Sequence, residues 1–298
     1  MLGLVFLLSF AAEFVIADES RIILVTGATG RQGGAVVDEL LSRGYTVRGM
    51  TRKPQGKKAQ RLAGKDIEIV PGDYNDPDSL LAAMRGAYGV FYYSGFSRNE
   101  VGEGINVIEA ARVAGVKHFV YSSGAAAAPG KGMEGAAKMQ VELELRDSGV
   151  PFSVIRPVAF MENFRGQQAR TAEKGVVDSR DPDRLVYFIA IRDIGFFAAE
   201  AFDHPDAWLG RGEDIAGDQM SLAGLTATYS DVMGRDIEYV QLPLDEYLAT
   251  FPPPLRSLFR WYDEVGYSVD TASLRKQYSK LITLEQYLRA TGWEDWEN

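Results

Sequence analysis

Short β-branched apolar runs alternate with longer amphipathic stretches through the first half of the chain, beginning at Arg21. RIILVT (21–26), YTVRGMT (45–51), IEIV (67–70), YGVFYY (88–93), HFVYSS (118–123) and FSVIRP (152–157) are predicted as strands. Helical patterns fill 33–43, 56–64, 77–85, 100–114 and 134–148. Such alternation builds parallel βαβ units, and strands that are apolar along their whole length imply a sheet covered on both faces. Asp76-Pro77 marks a helix start: the carboxylate accepts an orphaned amide, and proline gives up only an amide that had no partner. The expected class is α/β, a Rossmann-type doubly wound parallel sheet over residues 21–157.

Beyond Pro157 the regularity fades. Helix-like segments near 163–173, 192–202, 221–233, 244–250, 255–264 and 283–291 alternate with strand candidates at 185–190, 213–216 and 236–241. Thr283 with Gln286 fits a capping box, and Pro252 to Pro254 make a stiff break. Residues 158–298 are expected to form a smaller C-terminal α/β region that binds substrate or a partner over the strand ends, where open α/β sheets take their ligands. Residues 1–20 begin with the apolar MLGLVFLLSFAA, too short for a comfortable membrane span and without the basic start of an export signal. An export signal, a mis-assigned start and an apolar packing segment are the alternatives, and the last two are favoured. The segment that follows suits the cytoplasm.

Composition narrows the chemistry. The net charge of −9 repels phosphodiesters, so nucleic acid is not expected as a direct ligand. With no cysteine and only His118 and His204, neither a thiolate nucleophile nor a metal centre is expected. His118 lies at a strand entry and is read as structural.

LVTGATGRQGG (24–34) places Gly27, Gly30 and Gly33 directly after a strand and at the start of a helix. That context is the dinucleotide fingerprint, with Thr29, Arg31 and Gln32 in the same turn. Gly27 permits the turn, Gly30 lets the backbone approach a pyrophosphate, and Gly33 lets helix and strand touch. The phosphates then lie on a helix N-terminus, where free amides and the dipole favour an anion. Strand two ends in Thr51, Arg52 and Lys53, with no acid for a ribose 2′-hydroxyl and with Lys57 and Lys58 following. A basic end suits a 2′-phosphate, so NADPH is expected in preference to NADH. The bland alternative is a solvated basic loop. Asp73 is expected to meet the adenine amino group and Tyr74 its ring, while Ser94, Gly95 and Ser122 approach the nicotinamide half.

Together these segments resemble the NmrA-like family of atypical short-chain dehydrogenase/reductases. VTGATGRQGG, TRKP, PGDYNDPDSL, GAYGVF, KMQVELELRDSGVPFSVIRP and FMENF carry the likeness, and RDIG, IAGDQMSL and TLEQYLRATG extend it to nearly the whole chain from residue 21. The resemblance implies either an NADPH-dependent reductase of quinones, dyes or similar compounds, or a redox sensor acting through protein partners. It also implies a retained lysine at Lys138, whereas Glu134 stands where ordinary short-chain reductases keep a tyrosine acid.

Lys138 is the one candidate catalytic residue. Delivering a hydride to a ketone makes a strongly basic alkoxide that demands an acid, but delivering it to a quinone makes a phenolate whose conjugate acid has a pKa of roughly 10. The lysine charge, with water or a hydroxyl such as that of Tyr121, Ser122 or Ser123, suffices for the second reaction. A salt-bridged helix face, Glu134–Lys138–Glu142, is the competing structural reading. Phe160, Met161, Asn163 and Phe164, with Tyr121, are expected to meet a small conjugated substrate, although a Phe/Met cluster equally suits a core. A homodimer or another protein partner is left open. An epimerase or hydroxysteroid dehydrogenase is disfavoured because Glu134 supplies no tyrosine acid.

Overall fold

The computed structural model describes residues 21–95, 97–127, 130 and 136–295. The expectations for residues 1–20 and for Glu134 lie outside these. Six strands, β1 (Ile22–Val25), β2 (Thr46–Thr51), β3 (Glu68–Pro71), β4 (Gly89–Tyr93), β5 (His118–Ser122) and β6 (Phe152–Pro157), alternate with α1 (Arg31–Ser42), α2 (Lys57–Ala63), α3 (Pro77–Met84), α4 (Glu100–Ala114) and α5 (Ala137–Asp147). The second half holds β7 (Ala159–Phe160), α6 (Gln168–Lys174), β8 (Val176–Asp178), β9 (Leu185–Ile189), α7 (Ile191–Asp203), α8 (Pro205–Trp208), β10 (Gly212–Ile215), β11 (Asp218–Ser221), α9 (Leu222–Met233) and β12 (Tyr239–Gln241). Helices α10 (Leu244–Ala249), α11 (Pro253–Glu264), α12 (Thr271–Gln277) and α13 (Leu284–Ala290) follow.

A parallel seven-stranded sheet in the order β10-β6-β5-β4-β1-β2-β3 forms the centre. Reversal of winding between β1 and β4 opens a crevice at their C-terminal ends, as the doubly wound fold requires. Strand residues alternate between two cores. Ile23, Val25, Phe91 and Val120 pack with Val36, Leu40 and Phe197 of α1 and α7, whereas Leu24, Val90, Phe119 and Tyr121 pack with Leu80, Val107 and Val141 of α3, α4 and α5. Asp76 accepts the Ser79 amide at the start of α3, and the Thr283–Gln286 capping box opens α13.

The division expected at Pro157 is crossed by two later elements. Strand β10 pairs with β6, and α7 packs along α1, where the absence of a side chain at Gly195 admits the Ala35 carbonyl. Residues of the second half therefore complete the central sheet and one of its covering layers. The remainder gathers on a third core of Met161, Phe188, Leu225, Tyr229, Leu288 and Trp293, beside small sheets β11-β9-β7 and β12-β8. Short elements such as α8, α12, β7, β8 and β11 were not apparent in the sequence, being two to seven residues long and without a resolvable period.

Two buried titratable groups oppose each other on acidification. Burial pushes His118 down to about 4, with its Nε2 2.7 Å from Ser153 Oγ, so its contribution to stability is present above the ordinary histidine range and is lost as pH falls. Asp193 is raised to about 6, chiefly by burial, although its Oδ2 accepts the Ile282 amide and Arg192 lies 3.4 Å from Oδ1. Its contribution has the opposite sign, being complete at low pH and lost as pH rises through about 6. Asp193→Asn keeps an acceptor for Ile282 and removes this titration. Lowering the pH from 7 to 5 is expected to stabilise the parent relative to the variant by about 1–2 kcal/mol in denaturant titrations. A gap independent of pH would show that the carboxyl does not titrate in this window.

Candidate functional site

The chain turns at Gly27, with φ of +55°, a conformation that glycine adopts without strain. A Cβ on Gly33 would drive into the Gly27 carbonyl, so α1 and the turn meet only because Gly33 lacks a side chain. Ala28 N donates to Met50 O at 3.1 Å and ties the turn to β2, and Gly72 N donates to Thr51 O at 3.2 Å and ties the end of β3 to that of β2. Thr29 Oγ1 lies 3.4 Å from Thr51 Oγ1, and Ser122 Oγ donates to Gln32 Oε1 at 2.9 Å. The ends of β1, β2, β3 and β5 are thus drawn around one point.

A cleft of 820 Å³ opens there. Gly27, Thr29 and Gly30 line it on the side of the glycine turn, and Arg52, Lys53, Lys57 and Lys58 line its basic end. Arg52 and Lys53 are exposed, and Arg31 is exposed at the first position of α1. Asp73, Tyr74 and Gly95 also line the cleft. Its size and its glycine backbone suit an extended dinucleotide, with the cations gathered at one end.

Several residues expected at the ligand also make bonds within the chain. The Tyr74 hydroxyl turns inward, 2.9 Å from Thr26 Oγ1 and 3.2 Å from Tyr93 O, and its ring packs edge-on against Tyr92. Burial raises its pKa, so it stays a phenol. Asp73 Oδ1 accepts the Asn75 amide at 2.9 Å. Tyr93, which the sequence reading passed over, lies across the turn: its hydroxyl is 3.4 Å from Gly27 O, and a Cβ on Gly30 would strike it. Gly30 therefore makes room for a tyrosine of this chain as well as for a ligand. Asn75, Ser97 and Glu103 also line the cleft and are joined, Glu103 Oε1 accepting from Asn75 Nδ2 at 3.0 Å and from Ser97 Oγ at 2.9 Å.

At the other end, Lys138 in the first turn of α5 reaches across to the end of β4. Its Nζ donates to Ser94 Oγ at 2.7 Å, Ser94 O at 3.2 Å and Glu100 Oε1 at 2.9 Å. Glu142 does not continue a solvated ladder with Lys138. It is fully buried and grips Arg156 of β6 at 2.8 and 2.9 Å, with Asp214 of β10 3.3 Å from the same guanidinium. Both charges thus pair off the helix, because α5 is packed on its neighbours rather than bathed in water.

The expected substrate contacts divide. Phe160 is half-buried and Asn163 is exposed. Met161 is fully buried in the third core, which assigns it to packing, and Phe164 packs edge-on against Phe188 and Tyr229 at 5.3 and 5.9 Å. Tyr121 is also fully buried, stacked on Tyr92, with its hydroxyl 3.4 Å from Ser94 Oγ. Between them Glu162, unremarked in the sequence, accepts the Ile191 amide at 3.0 Å and so caps α7. Missing from the sequence reading was also Glu100. Its signal was present: the buried stripe Val107, Ile108 and Ala111 of α4, continued back along the helix, passes through Glu103 and Glu100.

Among the described residues no cluster of three or more His, Cys, Asp or Glu is disposed to hold a metal ion, and no helix is long and apolar enough to cross a membrane. A reductase of (4-alkanoyl-5-oxo-2,5-dihydrofuran-3-yl)methyl phosphate from Streptomyces griseus is 32% identical over 244 residues, covering 80% of this chain and 84% of its own. An NAD(P)H azoreductase from Xenophilus azovorans is 30% identical over 226 residues, covering 75% and 78%. Among solved structures, an NADPH-dependent quinone oxidoreductase from Escherichia coli complexed with NADPH superposes with a TM-score of 0.79 at 25% identity, over 90% of this chain and 99% of the other. The profile of the NmrA-like family matches residues 19–288, and the chain that carries this glycine turn and this lysine belongs to that family.

Proposed function

We propose that the protein is an NADPH-dependent reductase of a flat, conjugated acceptor such as a quinone, with Lys138 as its catalytic residue. The observation that carries this reading is the placement of Lys138 Nζ on Ser94, at the strand end adjoining the cleft and at the opposite side of β1 from the basic Arg52 and Lys53. The related azoreductase and quinone oxidoreductase support the acceptor class.

Gly27 to Gly33 and the amides of the first turn of α1 hold the diphosphate, and Arg52 and Lys53 hold a 2′-phosphate. Reduced nicotinamide, when bound, supplies a hydride. Lys138 stabilises negative charge that grows on the acceptor oxygen, which for a conjugated acceptor is already spread over the ring. Protonation then needs no strong acid at the position of Glu134. Ser94 fixes the direction of the ammonium, and Phe160 is the apolar side chain offered to the acceptor.

Turnover of NADPH with a panel of quinones tests the reading. Lys138→Ala is expected to lower kcat on the order of 100-fold while NADPH still binds. Tight NADPH binding with no turnover across the panel, together with a partner whose binding depends on the cofactor, would favour the sensor instead.

Arg52 tests the cofactor. Arg52→Ala is expected to weaken NADPH roughly tenfold or more, the loss of a charge-assisted contact, and to leave NADH almost unchanged in fluorescence titrations. Equal weakening of both dinucleotides would place Arg52 away from the 2′-phosphate.

A further inference from the structure

Lys138 is anchored through its whole ammonium group. An ammonium has three protons to donate, and all three have acceptors here: Ser94 Oγ at 2.7 Å, Glu100 Oε1 at 2.9 Å and Ser94 O at 3.2 Å. Ser94 Oγ donates in turn to the same Glu100 oxygen, so lysine, serine and carboxylate close a triangle. The Glu100 residue is only 8% exposed, and a carboxylate so far out of water requires a charged partner. Lys138 supplies it across the gap between α4 and α5, and its stem passes Gly124, where an added Cβ would lie 3.6 Å from Lys138 Cδ.

We propose that Glu100 is a positioning residue for Lys138, holding the ammonium pointed at the end of β4, where the acceptor oxygen gains charge. This rests on the reductase reading above. The longest of the three bonds, to Ser94 O, is the one exchanged for the acceptor oxygen. The Glu100 and Ser94 Oγ bonds hold the nitrogen in place during that exchange. No proton leaves the lysine in this step; one N–H changes acceptors. Glu100 acts only through Lys138 and touches neither cofactor nor acceptor.

The test is a double-mutant cycle on the full chain, with NADPH titration and steady-state turnover of a benzoquinone. Glu100→Gln keeps the shape and removes the charge. It is expected to lower kcat roughly tenfold with the Kd for NADPH within about twofold, and to cost nothing further in a Lys138→Ala background. Glu100→Asp keeps the charge on a shorter arm. It should give a smaller loss that also vanishes without Lys138, and it serves if the glutamine variant folds poorly. Additive losses in the double variant, or unchanged kcat in both Glu100 variants while Lys138→Ala is impaired, overturn the positioning role and leave the reductase standing. Full turnover by Lys138→Ala alone overturns the lysine's role and the proposal with it.

Discussion

Gly33 has no side chain, and the contact this allows between α1 and the Gly27 carbonyl fixes the geometry of everything around the cleft. Any larger residue would push the helix away from β1, and the amides of its first turn would no longer face the point where β1, β2 and β3 end. The same closeness explains why the neighbouring loops can bond to the turn through short backbone links such as Ala28 to Met50. The cleft has its basic residues confined to the β2–α2 segment, while the carboxylates that line it, Asp73 and Glu103, come from outside that segment.

Helix α5 is held in a contrasting way, by buried charge. Lys138 and Glu142 are one turn apart and bind in different directions, the first to Glu100 of α4 and the second to Arg156 of β6. A buried ion pair need not add net stability, since desolvation offsets much of the attraction, but removal of either partner strands the other. Such pairs therefore fix geometry more than they strengthen the fold. The two ties prevent α5 from rolling, and this keeps the lysine directed at Ser94.

The first half of the fold was legible because its elements are long and its two periods distinct: every strand and helix from β1 to β6 lies within a few residues of its expected span. The glycine turn and the basic end of β2 were legible because each depends on local sequence. What escaped depends on which way a helix faces. Glu142 at i+4 from Lys138 reads as a surface ladder until the packing of α5 is known, and Glu100 reads as an acid favouring the helix dipole until α4 is seen to bury it. Met161 and Tyr121 show the converse, since nothing in their neighbours tells a pocket wall from a core.

Strand β10 sits beside β6 although some fifty residues separate them in the chain, and its Asp214 lies against the Arg156 guanidinium. During synthesis β6 emerges well before β10, and at roughly 5–20 residues per second the interval lasts several seconds. For that time the nascent sheet has an open edge, and Arg156 has Glu142 but lacks its second carboxylate. Helix α7, which covers α1, arrives in the same interval. The first half therefore does not complete its own sheet: the edge beside β6 is filled only when the ribosome has delivered a segment from the other half, and a chain interrupted near Pro157 would leave that strand margin open.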